Sequence, residues 1–216
     1  MEQRTLTSKN QILLMIVNAV TVILFLLAWA ETMLSKRGAL IAFGFAYLRY
    51  YTVISNALFT LVSLALLILL IMMRAGKITR IPRAVLMIKY ISASMLSVTF
   101  WIVLVMLAPR LGIVFLFSGA NFWYHLIIPF ISIGEFILLD RFGKISFKET
   151  FLTLIPTLLY AAVYITNVAV NGRTPKNDFY GILNWGLPVG ILILLLILAI
   201  NWGSALLLRS GRNSRK

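Results

Sequence analysis

Cysteine is absent from this chain, and histidine occurs once, at position 125. The missing cysteine excludes disulfides, thiolate nucleophiles and cysteine-held metals. A lone histidine excludes a bis-histidine haem and a histidine-rich zinc site. No metal and no cofactor are therefore expected. Charge is scarce: 12% of the 216 residues are Asp, Glu, Lys or Arg, and only 6 are acidic. Also missing are a Gly-x-Ser-x-Gly nucleophile elbow and a glycine-rich phosphate loop.

What fills the chain is apolar sequence, 61% of it, in continuous runs. A soluble domain of this size has no interior large enough for that much apolar surface. The runs have the length of bilayer spans, about 20 residues, and are not the alternating stretches of a barrel. Six spans are expected, at Ile12 to Ala30, Tyr50 to Met73, Ala84 to Leu107, Asn121 to Leu139, Phe151 to Val170 and Ile182 to Leu208, with Pro109 ending the third helix and the apolar-aromatic segment Ala39 to Leu48 lying at the outer interface or extending the second. The fold class is thus all-α: a polytopic membrane protein, one six-helix bundle forming a single domain over residues 1–216. Arg4 and Lys9, the run from Ile12 and Ala28-Trp29-Ala30 imitate a signal peptide, but the run is long for one, and a retained first helix is expected.

The net charge of +14 raises nucleic acid as a partner, and its distribution argues against it. With the N-terminus in the cytoplasm, only Lys36, Arg37, Arg49, Arg110, Arg173 and Lys176 fall on the outer side. The other cations, with Lys89 counted among them, fall on the inner side. That bias fits cytoplasmic termini and an even number of spans. No base-stacking or groove-reading module is evident, so the expected partners are membrane lipids, not nucleic acid.

The spans carry polar residues at helical spacing: Asn18 and Thr21; Thr52, Ser55, Asn56, Thr60 and Ser63; Thr99; Asn121, His125, Ser132 and Glu135; Thr153, Thr157, Tyr160, Tyr164 and Asn167. Such sets line a polar interior or join helices by hydrogen bonds. His125 is the most informative, because an ionisable group within a span is a functional-site hypothesis by default. Thr52 follows the aromatic cluster Tyr47, Tyr50 and Tyr51, and His125 follows Phe122, Trp123 and Tyr124. Interfacial aromatics put both at one depth, just inside the outer boundary, with Thr99 near that level. A hydroxyl and an imidazole at one depth are the minimum for an activated nucleophile. Glu31, Asp178 and Asn121 are candidates to orient the imidazole, and Asn56 is placed to donate to an oxyanion. The alternative is that His125 packs helices through a hydroxyl neighbour.

Arg49-Tyr50-Tyr51-Thr52-Val53-Ile54-Ser55-Asn56 resembles the aromatic-Thr-x-x-Ser-Asn signature of a bacterial six-helix membrane family. Val98-Thr99, His125 with Pro129, Pro156 and Asp178-Phe179-Tyr180 follow in the same order. That family is similar to the androgen-induced-protein group of membrane threonine hydrolases, which cleave fatty-acid esters of hydroxy fatty acids. The resemblance implies a multi-pass protein of a bacterial plasma membrane, with Thr52 as nucleophile and His125 as its base. The chain departs from the family at Gly134-Glu135-Phe136, where an Asp-Trp pair is frequent. A non-catalytic lipid-binding or small-solute transport protein is the other expectation, with His125 and Glu135 relaying protons.

Overall fold

The computed structural model describes residues 8–34, 44–140 and 142–214. Among these residues the chain forms six main helices. We label them α1 (Ser8–Leu34), α2 (Tyr51–Arg74), α3 (residues 83–111, with a π turn at Val103–Leu107), α4 (a π turn at Phe122–Ile127 followed by Ile128–Leu138), α5 (Leu154–Asn171) and α6 (Leu187–Asn213). Short 3-10 helices occupy Gly44–Arg49, Ile113–Phe117 and Lys148–Thr153.

Five helices are long and apolar enough to cross a membrane. Leu61 is 64% and Val163 70% exposed, so the outer apolar faces need lipid rather than water as their surroundings. The chain is a multi-pass helical membrane protein. The fourth expected span is the exception. Its helix, Phe122–Leu138, falls in a shorter class, about 25 Å at 1.5 Å per residue.

Helix α3 is central, packing on α2, α4 and α6. Of its apolar window 61% is buried, against 22% for α5 and for α6. The core gathers Phe25, Phe59, Tyr90, Leu96, Tyr124, Ile128, Phe136 and Leu208 around it. Most of the polar sets face the interior: Asn18, Thr21, Ser55, Asn56, Ser63, Thr99, Ser132, Thr153 and Thr157 are buried, whereas Thr52, Asn121, His125, Tyr160 and Asn167 are half-buried.

Three local expectations are corrected. Helix α6 begins at Leu187, not Ile182, because Gly181 to Gly186 are held in turns: the Asp178 carboxylate accepts the Leu183 N–H at 3.0 Å, and Gly186 has φ +89°. Pro109 does not end α3, which continues to Leu111 and stops at Gly112, φ +85°. Lys89 is not a loop charge. It is fully buried in mid-helix, so it leaves the tally of inner cations. Arg4, Lys36, Arg37, Arg141, Arg215 and Lys216 lie outside the described residues, as does residues 39–43 of the apolar-aromatic segment from Ala39 to Leu48.

Candidate functional site: a braced turn beside a membrane cavity

The turn carrying His125 is shaped by Pro129. Proline has no N–H, and in an α-helix its ring crowds the carbonyl four residues back, here that of His125. The chain answers by widening to a π turn over Phe122–Ile127, in which the Ile128 N–H reaches Trp123 O, five residues back. The same device precedes Pro109, where the Ala108 N–H reaches Val103 O. Continued by one residue, the π register would direct the N–H of residue 129 to the carbonyl of Tyr124. Pro129 cannot supply it. Asn56 does so from α2: its Nδ2 donates to Tyr124 O at 3.1 Å.

The second hydrogen on Asn56 Nδ2 goes to Thr52 O at 2.8 Å, and Ser55 Oγ donates to the same carbonyl at 3.0 Å. One buried amide thus ties the first turn of α2, with Thr52, to the turn of α4 that holds His125. Both N–H groups of Asn56, the residue expected to serve an oxyanion, are engaged by these two carbonyls. Thr99 joins the group through Ser55, with 3.4 Å between the hydroxyl oxygens.

A cavity of about 140 Å³ opens between α2, α3, α5 and α6. Its polar wall comprises Tyr51, Thr52, Thr99, Thr157, Tyr160 and Tyr164, with Tyr180 beside them; Ile102, Ile193, Ile197 and Leu198 contribute to its aliphatic wall. A dry site of this size holds a benzene-sized apolar group. Thr52 and Thr99 line the cavity, whereas His125 is not among its lining residues; it sits half-buried on α4.

The cavity's hydroxyls are ordered by hydrogen bonds. Tyr51 Oη and Thr157 Oγ1 are 2.8 Å apart. Asn201 Nδ2 donates to Thr157 Oγ1 at 2.6 Å, and Ser94 Oγ donates to Asn201 Oδ1 at 2.6 Å. The Tyr51 N–H, an orphan donor at the start of α2, is taken by Tyr180 Oη at 2.9 Å. Arg49 lies over the Phe179 ring at 4.4 Å and donates to Lys176 O at 2.8 Å. The Arg49-to-Asn56 and Asp178-Phe179-Tyr180 segments therefore meet at one end of the bundle.

The candidate orienting residues divide. Asp178 is buried and serves its own loop, accepting from the Tyr164 hydroxyl and the Leu183 N–H. Glu31 ends α1 with its carboxylate against Gly119, where an added Cβ would come within 3.2 Å of Oε1. Asn121 is half-buried at the head of the His125 turn. These two lie on the His125 side, and Asp178 lies with the cavity.

A second buried constellation was not expected. Lys89 Nζ lies 3.1 Å from Glu135 Oε1 and donates to Asn18 Oδ1 at 2.8 Å and Ser63 Oγ at 2.5 Å. Asn18 Nδ2 donates in turn to Glu135 Oε1 at 2.8 Å. All three ammonium protons have acceptors, and the Phe59 ring lies 3.8 Å from the nitrogen. Four helices meet at this pair. The signal was present as one cation and one anion, each well inside a span, since such residues pair with one another. Near the end of α6, Arg212 pairs with Asp140 at 3.1 Å, both buried.

Compared with protein-family models, with curated proteins and with solved structures, the chain matches none.

Proposed function

We propose that this multi-pass membrane protein is an intramembrane lipid-ester hydrolase related to the bacterial six-helix family that its motifs resemble. The observation that carries the reading is the Asn56 brace, which joins the Thr52 turn to the His125 turn beside a cavity with an aliphatic wall. Thr52 Oγ attacks the ester carbonyl while His125 takes its proton and returns it to the departing alkoxide. Water, deprotonated by His125, then cleaves the acyl-threonine and restores both side chains. Part of the acyl chain occupies the cavity.

The test is release of fatty acid from lipid esters by the purified protein. Thr52→Ala is expected at background and His125→Ala lower by roughly 10²–10⁴-fold, the usual contribution of a general base. Wild-type turnover in either variant overturns the dyad. A second reading, a lipid- or solute-binding protein without catalysis, is favoured by the absence of His125 from the cavity wall that contains Thr52. It predicts saturable binding of lipid with no hydrolysis, unaffected by His125→Ala.

A further inference from the structure

We infer that Asn56 is a positioning residue that substitutes for the backbone N–H missing at Pro129 and so sets the direction of His125. This rests on the proposed Thr52–His125 reading and deepens it. Buried carbonyls are almost always paired, and in the π register Tyr124 O has lost its partner to proline. The Asn56 amide fills that place from a different helix, at 3.1 Å. Its other hydrogen fixes the Thr52 carbonyl at 2.8 Å. Asn56 is fully buried, so water does not compete for either bond. One planar group therefore sets the spacing between the two turns that carry the proposed nucleophile and base. The Ser-Asn of the first motif and the proline four residues after the histidine are two halves of one joint.

The joint makes an unusual demand on mutants. Asn56→Ala removes the donor and leaves Tyr124 O orphaned. Pro129→Ala returns a backbone N–H, and in either π or α register Tyr124 O then finds a main-chain partner. The double variant should therefore recover what the first substitution loses, although it removes a second residue. Two measurements read this. In ester hydrolysis, Asn56→Ala is expected to lower kcat by roughly 10- to 100-fold, the scale of ångström misplacement, with KM little changed, and Asn56→Ala/Pro129→Ala to regain most of it. Independently of hydrolysis, the rate at which diethyl pyrocarbonate modifies His125, the only histidine, should change several-fold in Asn56→Ala and return toward wild type in the double variant. If Asn56→Ala fails to accumulate, accumulation of the double variant is itself the rescue. A wild-type modification rate in Asn56→Ala overturns the inference, and so does a double variant no better than Asn56→Ala. If no protein hydrolyses any ester, the hydrolase reading falls while the modification rates still decide whether Asn56 positions His125.

Discussion

At the scale of single residues, the Lys89–Glu135 pair is the sharpest case of chemistry enforced by surroundings. Both side chains are buried, in a bundle whose exterior is lipid-facing. Removing one partner of a buried pair leaves an uncompensated charge and costs about 3–5 kcal/mol, whereas replacing both with apolar groups is often close to neutral. Lys89→Met should therefore lower the unfolding free energy in detergent by about 3–5 kcal/mol, and Lys89→Met/Glu135→Leu should recover most of the loss. Equal destabilisation by the single and double variants would show that the pair is not the relevant unit. Thr52, Asn56, Thr99 and His125 were legible as a group because helical spacing and interfacial aromatics constrain face and depth. Their neighbourhood was not legible, since nothing along one helix says which other helix it meets. The bond from Asn56 to α4 was out of reach for that reason: its carbonyl partner lies 68 positions away.

Among the elements, hydropathy located the helices well and local backbone chemistry moved their ends. Proline was read as a terminator at Pro109, yet both π turns show the chain absorbing a proline by donating the preceding N–H to the carbonyl five residues back rather than four. That choice depends on packing around the turn and has no periodic signature. Likewise the apolar run from Ile182 reads as helix, while the Asp178 carboxylate and Gly186 hold its first residues in turns. Helix α5 shows what a lightly packed element needs. It is little buried, and polar bonds fasten it to the bundle. Asn201 donates from α6 to Thr153 O at 2.9 Å and to Thr157 Oγ1 at 2.6 Å, and Thr157 continues to Tyr51 on α2. Asn201→Ala leaves these acceptors short of a donor, and each buried group left unsatisfied costs about 1–3 kcal/mol. Hydrogen exchange in lipid nanodiscs should accelerate over α5 and the cavity wall and remain at wild-type rates in α3. Acceleration spread evenly over all helices would count against an anchoring role.

Over the whole molecule, the two ends of the bundle differ in charge, and that difference predicts orientation. The end at which α1 begins and α6 ends exposes Arg74, Lys77, Arg80, Lys144 and Lys148. At the other end Arg173 and Lys176 are exposed, while Arg49 is half-buried over Phe179. Moving Lys89 from loop to interior weakens the first group by one cation and does not reverse the bias. Loop Lys and Arg set topology by resisting translocation, and acidic partners contribute little, so the Arg83–Glu149 contact at 2.6 Å does not cancel Arg83. The prediction is cytoplasmic termini, which would put Thr52, His125 and the cavity near the opposite face. The check is a set of reporter fusions. A fluorescent protein after Asn213 should fluoresce and alkaline phosphatase there should be inactive, whereas alkaline phosphatase inserted after Gly172 should be active. The reverse pattern would overturn the orientation and move the proposed hydrolase to the cytoplasmic leaflet, where its ester substrates and its water would have to arrive from inside the cell.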